Sequence, residues 1–403
     1  MNTMNTSRTI ATFVEFFTRR GHRQVEGSSL LTPPGDPVLF TTSGMHPLTP
    51  YLVGRPHPLG RRLTGVQRCL RTTDLGEVGD STHLTAFQML GSWSLGDYDG
   101  PQSQRFGLEL LCDHFGVRPA LLHATVFGGN ADVGPDTAAA HTWAELGLPV
   151  EPLGEEDNWW SNGPTGPCGP DSEIFAWTGS GPPEGTPGTD ERWIELWNHV
   201  TLRYERHPDG RLTPLPQLSV DTGMGLERLL MVASGARSVF ETDAFASWLS
   251  VLPALWPLAA DRDGPRALRI VTDHLRSSVV VIGDGVLPSP TGRGYVLRRL
   301  LRRALTELWG ADPGSPLTLG DLPPELVLDT AAQFGQPAEP GRVRAILLAE
   351  ERRFRELLTR GRSLLARLYP SGSLTEADYR YLHETHGLPR ELVADVLARM
   401  SAE

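Results

Sequence analysis

One stretch of eight residues holds a carboxylate, two glycines and a guanidinium: Asp221-Thr-Gly-Met-Gly-Leu-Glu-Arg228. Its pattern predicts a short strand over Leu218–Val220, a turn on Gly223 and Gly225, and a helix starting near Leu226. Glycine lets a backbone approach a ligand closely. Arg228 falls in the first turn of that helix, at the positive end of the macrodipole, where a cation is mildly unfavourable unless an anion is bound. Asp221, at the end of the strand, points towards the same cleft. A carboxylate and a guanidinium around a glycine turn suit a ligand carrying both an ammonium and a phosphate. Ordinary strand–helix packing accounts for the same residues equally well, so the stretch alone leaves both readings open.

Other candidate residues fall on elements that the patterning predicts. Gly65–Asp74 and His83–Gly91 read as the two strands of a long antiparallel hairpin whose tip carries Arg71, Asp74, Glu77 and His83. On the return strand Phe87 and Met89 share one face and Gln88 takes the other. Trp193–Tyr204 reads as a strand with a single polar intruder, Asn198, which needs partners if buried. Val38–Thr42 reads as a buried strand. Residues 130–192, rich in Gly, Pro and Asp, read as a loop that is either a surface excursion or a site wall. The amino-terminal helix is expected to end at Gly21, and another spans Gln102 to Phe115. After Arg228 the pattern turns helical, with a linker at Pro253–Arg266 and helices near 269–284, 294–305 and 342–368. In the second of these, Arg293, Arg298, Arg299, Arg302 and Arg303 meet no acid before Glu307. A solvated face is the ordinary explanation of a charge run, but five cations without local compensation also fit an anionic partner.

Composition sets bounds. The 403 residues are enough for two or three domains, with 39% hydrophobic and 21% charged residues. No apolar run is long enough to cross a bilayer, and the polar start lacks a signal-peptide core, so a cytoplasmic location without membrane association is expected. A net charge of −11 argues against coating nucleic acid by bulk charge. Three scattered cysteines (Cys69, Cys112, Cys168) exclude a disulfide framework and a four-ligand zinc site. All 37 basic residues are Arg, so neither Schiff-base nor P-loop lysine chemistry is available.

Taken in order, the motifs resemble the N-terminal part of the alanyl-tRNA synthetases, a family of class II aminoacyl-tRNA synthetases, along nearly the whole chain. The carrying stretches include Asp36-Pro-Val-Leu-Phe-Thr-Thr-Ser-Gly-Met45, Gln67-Arg-Cys-Leu-Arg71, Phe87-Gln-Met-Leu-Gly91 and Gly166-Pro-Cys-Gly-Pro-Asp-Ser-Glu-Ile174. Leu196-Trp-Asn198, Val220–Arg228, Asp273-His-Leu-Arg276 and Arg293-Gly-Tyr-Val-Leu-Arg-Arg299 extend them. The resemblance implies an α+β fold: a six-stranded antiparallel class II core flanked by helices over residues 1–245, then a mostly helical tRNA-recognition domain over 246–403. It implies that Arg71 contacts the α-phosphate and the amino-acid carboxylate, that Arg228 contacts the γ-phosphate, and that Phe87 stacks on adenine. Asp74, His83 and Met89 complete the ATP site. Asp221 would hold the alanine ammonium, with Trp160, Asn198, Val200 and Gly223 around it. Arg293, Arg298, Arg299, Arg302 and Glu384 would face the acceptor. ATP with Mg²⁺ is implied, and no zinc.

The expected activity is therefore ATP-dependent activation of alanine and its transfer to a tRNA. Two alternatives remain: a paralogue that passes alanine or a similar amino acid to a metabolite or carrier protein, and a non-catalytic binding module. Departures from the family pattern keep the first alternative open. Asp80-Ser-Thr-His83 lacks the family's arginine before the histidine, and Asp99-Gly100 replaces Phe-Lys. Pro290-Thr291-Gly292 stands where the family has asparagine, and Glu384 where it has aspartate. Thr201 and Arg203 replace Phe and Gln, and these changes are expected at the acceptor side and the rim of the site. The sequence stops before the family's editing region, so no editing is expected, although one methyl offers only about 1–3 kcal/mol of discrimination.

Overall fold

The computed structural model describes residues 4–33, 36, 38–256, 265–310, 312–369 and 374–402. Positions 257–264 of the expected linker lie outside them. Two compact units emerge, 1–70 with 87–245 and 71–86 with 246–403.

The first unit is built on a sheet of nine strands among the described residues. In chain order they are β1 (Arg23–Val25), β2 (Arg62–Leu70), β3 (Ala86–Leu95), β4 (Leu122–Phe127), β5 (Val150–Leu153), β6 (Trp159–Ser161), β7 (Gly166–Trp177), β8 (Trp193–Arg206) and β9 (Leu212–Gly225). Their spatial order is β1-β2-β3-β9-β8-β7-β4-β5, with β6 added on β7. The run β3-β9-β8-β7-β4 is antiparallel, while β1 on β2 and β5 on β4 are parallel. The sheet is thus larger than the six strands expected, and mixed at its edges.

Three local expectations are corrected. β9 does not end at Val220 but runs straight into the helix Leu226–Ser234, and neither Gly223 nor Gly225 takes a positive φ. Pairing with β3 holds both glycines extended, and β8 flanks Gly223 on its other side. Val38–Thr42 forms only an isolated bridge, Leu31 to Phe40. The supposed loop at 130–192 contains β7, a twelve-residue central strand. Pro170 is tolerated there because the β7–β8 register slips between Cys168 and Asp171, and a bulge spares proline the ladder bond it cannot donate.

One face of the sheet is covered by helices. Phe13 and Phe17 of the helix Thr6–Thr18 pack on Trp197, with ring centroids 5.7 and 6.3 Å away. Beside them runs a buried polar row in which Ser92 Oγ lies 2.8 Å from Thr222 Oγ1 and His199 Nδ1 lies 2.9 Å from Ser103 Oγ. Burial keeps His199 neutral, at about 3. Thr201 and Arg203 belong to this face. Arg203 donates to Asp136 at 3.1 Å, and Gly100 approaches the Thr201 hydroxyl so closely that a Cβ would come within 2.9 Å. These two departures therefore sit under the covering helices, not at the rim expected for them.

In the second unit the helices Pro265–Gly283 and Gly292–Trp309 pack together, and Gly292–Trp309 also packs on Pro340–Leu368. Trp309 stacks on Phe354 at 5.9 Å. The segment 71–86, between β2 and β3 in the chain, belongs to this unit.

Candidate active site

Residues directly opposite one another in an antiparallel ladder share a face. On the face away from the helix Thr6–Thr18, two rows cross the sheet. One runs Glu173–Asn198–Gly223–Gly91, the other Asp171–Val200–Asp221–Trp93. Met89, opposite Gly225, and Phe87 continue the same side of β3. Trp160 of β6 packs against a cluster containing Trp93 and Val200. The expected amino-acid residues and the two expected residues of β3 are thus brought onto one surface.

Asp221 is the electrostatic centre of that surface. It is buried, and burial pushes its carboxyl up to about 7, only partly opposed by Trp93 Nε1, which donates to Oδ1 at 2.6 Å. No cationic side chain pairs with it among the described residues. The two glycines of the neighbouring row are demanded by close packing: a Cβ on Gly91 would lie 2.3 Å from the Trp93 ring, and one on Gly223 2.7 Å from Met89 Sδ.

Asn198, half-buried, does have partners. Its Nδ2 donates to Asp171 Oδ2 at 3.0 Å and to Glu173 Oε1 at 3.1 Å, while Asn158 donates to Asp171 Oδ1 at 3.2 Å. The Asn198 Oδ1 is buried with no hydrogen-bond partner among the described residues. Burial lifts Asp171 to about 7, and burial together with the charges of Glu195 and Asp171 lifts Glu173 well above the carboxylate range. The sequence reading missed these carboxylates. The Asp-x-Glu spacing at 171 and 173 was the available signal, hidden by taking the stretch as loop.

Arg228 is the third residue of its helix, and Glu195 takes up its charge. Its Nη1 donates to the Glu195 carbonyl at 2.9 Å and reaches the Glu195 carboxylate at 3.3 Å. Both side chains keep solvent access, 24% and 34% exposed. A displaceable pair of this kind leaves the guanidinium available to a stronger anion.

The other predicted residues lie in the second unit. The Arg71 backbone N–H donates to the Thr85 carbonyl at 3.0 Å. Asp74 lies in the turn Thr73–Gly76, its side chain outside the described residues. His83 Nδ1 sits 2.5 Å from Asp80 Oδ2. Burial would raise Asp80, but hydrogen bonds from the His83 side chain and backbone and from the Thr82 N–H hold it at about 2. Asp80 thus fixes the loop tip within the run that lacks the family arginine. The arginine run is less bare than it reads: Arg298 and Arg302 both donate through Nε to Glu350 Oε1, at 3.1 and 2.8 Å, and Glu350 is fully buried. The missing acid comes from another helix. Arg299 and Glu384 are exposed, and Arg293 is half-buried. Among the described residues no group of three or more His, Cys, Asp or Glu is placed to hold a metal, and no helix is long and apolar enough to cross a membrane.

Comparison with known proteins identifies the family. Alanine–tRNA ligase of Treponema denticola is 45% identical over 311 residues, covering 73% of this chain and 51% of that protein. The Treponema pallidum enzyme is 40% identical over 412 residues, covering 96% and 67%. That of Rubrobacter xylanophilus is 39% identical over 414 residues, covering 96% and 46%. The chain thus spans from about half to two thirds of these relatives. Residues 9–403 match the tRNA synthetases class II (A), and the chain belongs to that family.

Proposed function

We propose that the chain condenses alanine with ATP to alanyl-adenylate and passes the alanyl group to the 3′ end of a tRNA. The observation that carries this reading is Asp221: a buried carboxyl held up at about 7, with no cation against it among the described residues, in the row it shares with Val200. An α-ammonium supplies the missing charge. Asn198 Oδ1 offers it a second acceptor, and Val200 and Trp160 give a small side chain an apolar wall. Gly223 keeps the approach to Asp221 free of a Cβ.

An alanine carboxylate is already ionised at neutral pH, so no general base is needed. Its oxygen forms a bond to the α-phosphorus as the bond from that phosphorus to the leaving pyrophosphate breaks. Catalysis is then positioning and charge stabilisation. Arg71 takes the α-phosphoryl charge, and Arg228 exchanges Glu195 for the γ-phosphate. Phe87 stacks on adenine, with Met89, Asp74 and His83 as further ATP contacts. A tRNA 3′-terminal hydroxyl next attacks the adenylate carbonyl and AMP leaves. Arg299, which is exposed, is the favoured phosphate contact on the acceptor side, with Arg293 and Glu384 also assigned there. Arg298 and Arg302 contribute less because Glu350 already neutralises them.

The family carries Mg²⁺ with its ATP. That ion binds through one or two carboxylates and the substrate's phosphates. Glu195, partly exposed beside Arg228, and Glu173, lifted by burial and by the neighbouring carboxylates, fit it. Bound there, Mg²⁺ would neutralise phosphate charge.

The test is alanine-dependent ATP–pyrophosphate exchange, present in the wild type and lost in Arg228→Ala and Asp221→Ala. Charging of a tRNA with a G3·U70 pair then tests the acceptor. Absence of exchange with every small amino acid refutes the reading.

A further inference from the structure

The motif Asp273-His-Leu-Arg276 has no role in the chemistry above, yet Asp273, Arg276 and the adjoining Ser277 are completely buried. Their i, i+3 and i+4 spacing puts them on one face of the helix Pro265–Gly283. Each spends its polar groups on two residues at the end of segment 71–86. Asp273 accepts the Thr85 N–H on Oδ1 at 2.9 Å and the Thr85 hydroxyl on Oδ2 at 2.6 Å. Ser277 Oγ accepts the Ala86 N–H at 3.0 Å, and Arg276 Nη1 donates to the Ala86 carbonyl at 2.9 Å. His274 Nδ1 holds Asp273 Oδ2 from behind, at 2.9 Å. The Arg276 guanidinium lies over the Phe334 ring, 4.6 Å from its centroid.

Burying a carboxylate and a guanidinium is costly unless each is fully engaged. Apolar side chains would pack the helix at lower cost. What these groups accomplish is to fix the backbone at the point where β3 begins. The Thr85 carbonyl is the acceptor for the Arg71 N–H. Two successive contacts, Asp273 to Thr85 and Thr85 to Arg71, therefore join the helix to the arginine.

We propose that Asp273, flanked by Arg276 and Ser277, is a positioning residue for Arg71: it clamps Thr85, and through the Thr85 carbonyl it sets the main chain from which Arg71 reaches the α-phosphate. The inference rests on the role given to Arg71 above. It makes the helix Pro265–Gly283 part of the activation machinery although none of its side chains touches a substrate.

Thr85→Val keeps the shape and removes the hydroxyl donor, Asp273→Asn removes charge and one acceptor, and Thr85→Ser restores the donor. Second-sphere defects of this kind cost about ten- to a hundredfold. The expected result is a fall of that size in the kcat of ATP–pyrophosphate exchange for Thr85→Val and Asp273→Asn, with Thr85→Ser close to wild type. Hydrogen–deuterium exchange of peptides spanning 71–86 should accelerate in the first two variants only. Unchanged kcat in a folded Thr85→Val overturns the proposal, as does a loss that Thr85→Ser fails to rescue. Should Asp273→Asn not fold, Thr85→Val decides alone. Should the wild type activate no amino acid, the functional reading falls, and unchanged protection of 71–86 in the variants would overturn the clamp itself.

Discussion

Replacing Asp221 by asparagine should make the free protein more stable while removing its function. A carboxyl held at about 7 in the fold and 3.8 in the unfolded chain carries a penalty of about 4 kcal/mol once ionised in both states. The folded value is raised, so the wild type has its full stability below about pH 4 and loses it progressively as pH rises towards 7. Above that the penalty is constant. Asparagine escapes it, and its Oδ1 can still accept from Trp93 Nε1, now 2.6 Å from the aspartate oxygen. The advantage of Asp221→Asn should therefore grow by about 3 kcal/mol between pH 5 and pH 8. Urea unfolding of both proteins at the two pH values measures this, and the difference between them cancels the similar titrations of Asp171 and Glu173. Alanine-dependent exchange should fall by on the order of a hundredfold, because a hydrogen bond to a charged group is lost. An advantage equal at the two pH values, or one that shrinks on going to pH 8, refutes the claim that this carboxylate stands uncompensated in the free protein.

Two further substitutions probe the packing around it. Gly91→Ala drives a methyl into the Trp93 ring, 2.3 Å away, and should cost about 1–3 kcal/mol in urea while raising the KM for alanine. Gly223→Ala meets only the flexible end of Met89, so the smaller stability loss of the two is its expected outcome. Glu350→Gln strips the shared counter-charge from Arg298 and Arg302. Unfolding should show a loss of about 3 kcal/mol; a loss too small to measure would mean that the two arginines do not depend on it.

Strand alternation made most of the surface legible in the sequence. Phe87 and Met89, and Asn198 and Val200, are spaced by two, and a strand of either register places such pairs on one side. Asn198 was conspicuous because a lone amide in an apolar strand must be partnered. Its partners, Asp171 and Glu173, were hidden by local chemistry: Pro167 and Pro170 are ordinarily loop residues, and the slip in register against β8 is what admits Pro170 to a central strand. The glycines at 223 and 225 misled in the opposite way. Their freedom to turn was read as a turn, whereas close packing against Met89 was the reason for the first of them. The arginine run shows a third limit. Compensation by Glu350 comes from 48 residues beyond Arg302, a distance at which periodicity carries no information.

The bonds that hold Thr85 and Ala86 also bear on the order of folding. They join residues 188 to 191 positions apart, among the costliest loops to close in chain entropy. A nascent chain that has emerged only as far as Phe245 has every strand of the sheet but no partner for the end of segment 71–86. The clamp on Thr85 and Ala86 forms only after the helix Pro265–Gly283 leaves the ribosome. Any ATP-handling competence would thus arrive late in synthesis, as a single event well after the strands are in place.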